Sequence, residues 1–136
     1  MKNHEEILFC NDAFYQAFWG RDMKVMRDVW ASINPVACIH PGSSPLTELR
    51  IILASWRSIF QNPNCPRIVH QTDEVLFYGD VALVTCYEWD ERQPENVLLA
   101  TNGFARESGT YRMVFHQAGA SPAPPERPTE SRPPMH

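Results

Sequence analysis

Apolar side chains recur at helical spacing from the start of the chain: Ile7, Cys10, Phe14 and Phe18, with Ala13 and Ala17 small enough for close approach. Asn3 and Glu6 form a candidate capping box, so the pattern predicts a helix from about Asn3 to Trp19, ended by Gly20. Asp22 can cap a second helix carrying Met23, Met26, Val29 and Trp30, which Asn34-Pro35 breaks. Val36 to His40 reads as a short apolar strand stopped by Pro41-Gly42. A third helix is expected to begin between Ser44 and Thr47, where Pro45 is acceptable in a first turn. Its Leu49, Ile52, Leu53, Trp56, Ile59 and Phe60 make one broad stripe suited to lying on a sheet, and Asn62-Pro63 stops it.

The second half alternates with the period of strands. Arg67 to Tyr78 and Val81 to Glu91 are joined by a tight Gly79-Asp80 turn, and Leu98 to Ala118 reads as a hairpin. VALVTCY, starting at Val81, is apolar on both faces and suits a central strand. Two helices, a strand, a helix and four antiparallel strands give an α+β domain, its helices on one face of a curled sheet.

Hairpin register decides which polar residues share a face. A three-residue loop closed by a bulge at Gly109 would set Asn102, Phe104 and Arg106 beside Arg112, Val114 and His116. A two-residue turn would group them with Tyr111, Met113 and Phe115 instead. The bulged form is preferred, because Gly109 sits third in that loop, where the left-handed conformation is needed.

Length allows one domain, read as residues 1–118 followed by a Pro-rich tail, 119–136. Half of the prolines and almost no large apolar side chain fall in that tail, so disorder is expected; a proline ligand for an aromatic groove is the alternative. Net charge is −4 with scattered Lys and Arg, which speaks against a nucleic-acid partner. Cys10, Cys38, Cys65 and Cys86 lack C-x-x-C spacing and read as free thiols in a reducing compartment. The polar N-terminus and the absence of a membrane-length apolar run lead to expectations of no membrane contact and a cytoplasmic location.

FYQAFWGRDMKVMRDVW, CIHPG, ILASWRSIF and LLATNGFARESGTYRMVFHQAGAS together resemble the SnoaL-like branch of the nuclear transport factor 2-like superfamily, over roughly Asn3 to Ser121. The resemblance implies a cystatin-like, cone-shaped α+β barrel: three N-terminal helices on a strongly curved, mixed, mostly antiparallel sheet, with a pocket at the open end. It also implies homodimers through the outer sheet face. Members include cyclases, ketosteroid isomerase-like and dehydratase-like enzymes, and a kinase association domain, so the fold does not fix the chemistry. Glu48-Leu49 replaces the Gly-Arg common at the third helix of relatives, and Phe115-His116-Gln117 replaces their His-x-His pair.

Several residues carry candidate chemistry, each beside a plainer role. His40, at the strand end, suits a general base or a ring bonded to a turn carbonyl. Glu88, if desolvated, has a raised pKa and suits acid or base work; the favoured alternative is an ion pair with Arg106 or Arg112. Those arginines and His116 on one face would leave surplus positive charge for a small acid. Tyr15 shares a helix face with Trp19; in ketosteroid isomerase-like relatives a first-helix tyrosine donates to a substrate oxygen, and otherwise Tyr15 is a core-edge residue. Trp56 reads as core or pocket wall, and Asn102 as a buried amide needing a partner or ligand. His40, His70 and His116 lie on separate strands without metal-ligand spacing, so neither metal nor cofactor is expected.

The leading reading is a small-molecule pocket protein for a partly apolar, in one version acidic, ligand. Tyr15, Trp19, His40, Trp56, Glu88, Asn102, Arg112 and His116 would line the pocket. One alternative is a cofactor-free isomerase, cyclase or dehydratase using His40, Glu88 and Tyr15. The other is a non-enzymatic association module.

Overall fold

In the computed structural model, residues 2–122 are described. Two helices, α1 (Lys2–Gly20) and α2 (Met23–Val29), precede strand β1 (Ala37–Ile39) and helix α3 (Leu49–Gln61). Four strands follow: β2 (Ile68–Tyr78), β3 (Val81–Asp90), β4 (Val97–Glu107) and β5 (Thr110–Ala120). The sheet order is β1-β5-β4-β3-β2, with β1 parallel to β5 and every other pair antiparallel. This is the expected α+β architecture, three helices on a five-stranded mixed sheet.

Helical spacing explains the core. α1 buries Ile7, Phe14, Tyr15 and Phe18, while α3 buries Ile52, Trp56 and Phe60 at four-residue intervals. The two stripes meet edge to face, with the Trp56 ring 5.5 Å from Phe14 and 5.0 Å from Phe18. On β3, Ala82, Val84, Cys86 and Glu88 alternate into this core.

Two helix starts differ from expectation. α1 already runs at Lys2, so Asn3 lies inside the helix instead of capping it, and its side chain accepts from Arg106 at 2.9 Å. α3 starts at Leu49 because Leu46 and Cys38 exchange backbone hydrogen bonds of 2.8 and 2.9 Å, holding the preceding segment extended. Asp22 does cap α2, accepting from the Val25 amide at 3.2 Å.

The hairpin also differs. Glu107 pairs with Thr110 across a two-residue turn in which Ser108 (φ 52°) and Gly109 (φ 87°) are both left-handed. Gly109 is therefore a turn residue, and the preferred bulge there is not formed. The extra residue sits farther along: Phe104 pairs with Met113, but Gly103 pairs with Phe115, leaving Val114 unpaired. That displaced bulge restores the pairing of Asn102 with His116 while leaving Arg112 opposite Ala105. β5 continues through Ala120, so Gly119 and Ala120 are strand residues rather than tail; most of the expected tail, 123–136, lies outside the described residues.

Candidate active site

Asn11 and Tyr15, four apart on α1, share the face that meets the inner side of the sheet. Tyr15 Oη donates a short hydrogen bond to Glu88 Oε2 on β3. Asn102 Nδ2, on β4, donates to Tyr15 Oη at 3.1 Å and to Asn11 Oδ1 at 2.9 Å. Asn102 Oδ1 faces His116 Nδ1 on β5 at 2.6 Å, and Asn11 Nδ2 donates to Cys86 Sγ at 3.4 Å. The direction of each bond follows from the others. Tyr15 uses its proton on Glu88, so it accepts from the Asn102 amine, so Asn102 presents its carbonyl to His116. His116 is then protonated at Nδ1 and basic at Nε2.

The network is fully interior, with Tyr15 3%, Glu88 2%, Asn102 0% and His116 2% exposed. Burial raises the Glu88 carboxyl to about 7, against which the Tyr15 hydrogen bond works in the opposite direction. Burial lowers His116 to about 3, with a smaller contribution from the charge of His40, and holds the Tyr15 hydroxyl well above its usual range. At neutral pH the imidazole is neutral and Glu88 is poised between its two forms.

The expected ion pair of Glu88 with Arg106 or Arg112 is not formed. Arg106 lies 3.6 Å from Glu6 and over the Tyr111 ring, because the two-residue turn directs it toward the start of α1. Arg112 donates to the Asp28 carbonyl of α2. The surplus positive charge expected beside Glu88 is thus absent among the described residues, and the acidic-ligand version loses its basis.

Trp56 packs between two histidines, its ring 5.9 Å from His116 and 4.9 Å from His40. Among the described residues its buried indole Nε1 has no hydrogen-bond partner. Ser55 donates to the Ile52 carbonyl at 2.6 Å, so it accepts from His40 Nε2 at 2.9 Å, which leaves Nδ1 as the basic atom of His40. Burial lowers the His40 pKa. Trp19 stands apart, stacked with Arg67 at 5.6 Å, and Arg112 lies with α2.

Asn11 and Asp12 are absent from the sequence reading, and His70 enters it only as a candidate metal ligand. Asn11 interrupts the buried stripe of α1 between Ile7 and Phe14, a polar break that could have been noticed. His70 pairs across the sheet with Glu88, stacks on the Tyr15 ring at 4.1 Å and 12°, and lies 3.1 Å from Asp12 Oδ1. Asp12, more than half exposed, links that pair to solvent. Their neighbourhood depends on β2–β3 register and α1 rotation together, which no local spacing encodes. Among the described residues no group of three or more His, Cys, Asp or Glu is placed to hold a metal ion, and no helix is long and apolar enough to cross a membrane.

A solved structure from Thiobacillus denitrificans, a candidate calcium/calmodulin-dependent protein kinase type II association domain, is 35% identical, with a TM-score of 0.69 over 82% of this chain and 92% of that one. A candidate dehydratase of the nuclear transport factor 2-like family from Streptomyces avermitilis is 25% identical, with a TM-score of 0.76 over 90% and 98%. A cystatin-like fold protein from Burkholderia xenovorans, 14% identical with a TM-score of 0.67 over 85% and 89%, shares the fold. No curated protein matches. The family model for the SnoaL-like domain matches residues 7–124. The chain belongs to the SnoaL-like domain family, within the nuclear transport factor 2-like superfamily.

Proposed function

We propose that this protein binds a small, partly apolar molecule against the Tyr15–Glu88–Asn102–His116 network, and that Glu88 exchanges a proton with it. The observation that carries this reading is Glu88: a carboxyl with a tyrosine for a partner, raised by burial to about 7. Such a group serves as acid and base at neutral pH without a cofactor. The chemistry it suits is proton transfer next to a carbonyl, as in an isomerase, cyclase or dehydratase.

The roles follow from the hydrogen bonds. Glu88 takes the proton from carbon. As its negative charge is lost, its hold on the Tyr15 hydrogen weakens, and that hydroxyl can turn to the developing enolate oxygen. Asn102, oriented by His116, keeps the Tyr15 oxygen in place. His70, held by Asp12 at 3.1 Å, steadies the Tyr15 ring by stacking on it. Trp56 supplies an apolar wall, and His40 a second base beyond it.

Thermal-shift screening against small keto-compounds and acids tests the reading. A keto-compound should raise the Tm of the wild-type protein and lose most of that effect with Glu88→Gln. No shift across the panel, or equal shifts in both proteins, would count against it.

A second reading, an association module, is favoured by the outer face of the sheet. Leu76, Tyr78, Val81 and Leu99 are exposed there, beside a separate cluster of Val69, Trp89 and Val97. Such a face is suited to pairing two copies into a dimer. The similarity to the Thiobacillus association domain points the same way.

A further inference from the structure

His70 meets two side chains of α1 at once. Asp12 and Tyr15 lie three apart on that helix and so share a side of it. β2 is an edge strand, and His70 on it pairs directly with Glu88 on β3, which sets both side chains on one face of the sheet. The imidazole lies nearly flat on the Tyr15 phenol, 4.1 Å away at 12°, with its Nε2 3.1 Å from Asp12 Oδ1. An ionised carboxylate only accepts, so Nε2 carries the hydrogen and a second proton enters at Nδ1. The His70 side chain is 18% exposed and that of Asp12 57%, whereas Tyr15 and Glu88 are closed off from solvent.

We propose that His70 is a positioning residue that sets the donor strength of Tyr15: as an imidazolium paired with Asp12, it lies as a cation on the phenol face. This rests on the reading of Tyr15 and Glu88 as the reacting pair. A cation against the ring favours negative charge on the Tyr15 oxygen. The hydroxyl then donates more strongly, to Glu88 or to an enolate oxygen. The neutral ring supplies the same stack without the charge. From α1 the imidazole faces Asp12 and Tyr15; from β3 it faces Glu88 and, one inward position along, Cys86. Burial pushes the Cys86 thiol up to about 12, so it stays neutral and Glu88 is the one other group whose charge changes near neutral pH. The proton on a partly exposed histidine is thereby felt by a buried hydroxyl.

¹³C NMR of Tyr15 Cζ, the ring carbon that bears the hydroxyl, tests this in the Glu88→Gln chain. There the carboxyl titration is gone, the side-chain amide oxygen can still accept from Tyr15, and no ligand is required. Cζ, assigned by its loss with Tyr15→Phe, should move with pH and share the midpoint of the His70 imidazole, read from its ¹⁵N resonances. Adding His70→Phe keeps an aromatic ring against Tyr15 and should leave Cζ flat. Whatever midpoint His70 takes with Asp12→Asn, Cζ should share it. A purely structural stack would produce none of these movements. A flat Cζ while His70 titrates, or movement that survives His70→Phe, would overturn the proposal. So would a His70 ring that holds one charge state across about pH 5–8. These results do not depend on ionisation of Glu88, whose own reading stands or falls by the wild-type carboxyl titration.

Discussion

At the scale of single residues, burial moves Glu88 and His116 in opposite directions, and stability against pH should carry the mark. Glu88 keeps its proton to about pH 7 in the folded chain but releases it near 4.5 when unfolded, so its contribution falls as pH rises through that window. His116 stays neutral down to about pH 3, whereas the unfolded ring takes a proton below 6.5, so its contribution rises with pH from about 3 to 6.5. The slopes oppose each other between about 4.5 and 6.5, where folded and unfolded chains hold the same number of protons on this pair. His40, also lowered by burial, adds to the rising side. Glu88→Gln removes only the falling contribution. Urea midpoints of that variant should rise with pH through this window more steeply than those of the wild-type protein; parallel slopes would contradict the assignment.

At the scale of elements, the hairpin depends on two glycines with different tasks. Gly109 must hold φ 87°, so Gly109→Ala should cost about 1–2 kcal/mol in urea unfolding without disturbing the site. Gly103 lies at the bulge, where an added Cβ would come within 3.1 Å of Phe115 Cβ and 3.2 Å of Leu83 Cδ2. Gly103→Ala should therefore strain the bulge and shift the side-chain amide resonances of Asn102, which Gly109→Ala leaves in place. The sequence marked the hairpin and both possible faces, yet neither simple turn accounts for what forms. A two-residue turn sets the register from Glu107 to Phe104, and the bulge at Val114 then resets it for Asn102 and His116. Val114 resembles any other β-branched strand residue, and the local sign of the bulge is Gly103 on the facing strand. The late start of α3 has no such sign: the Leu46–Cys38 bridge is a contact between segments, invisible to a reading of caps.

At the scale of the whole molecule, the elements and the family were legible because helical and strand periodicities are strong and the characteristic stretches span most of the chain. The site was legible in part. Tyr15, Glu88, Asn102 and His116 stood out as polar residues in apolar runs, and they meet; Trp19 and Arg112 looked equally eligible and face other neighbours. The outer sheet face gives a separate expectation, that two copies pair through Leu99, Leu76 and their neighbours. Leu99→Glu, on an exposed position, should convert a dimer to monomer in sedimentation velocity with an unchanged circular-dichroism spectrum. A wild-type protein that sediments as a monomer throughout would remove that interface.

Everything proposed for the site rests on the charge state of one buried carboxyl. A ¹³C NMR titration of the Glu88 side-chain carboxyl, assigned by its disappearance in Glu88→Gln, measures that directly. The expected midpoint is about 7, moving higher with Tyr15→Phe because the hydrogen bond that favours the carboxylate is gone. A midpoint near 4.5, unmoved by Tyr15→Phe, would contradict the account.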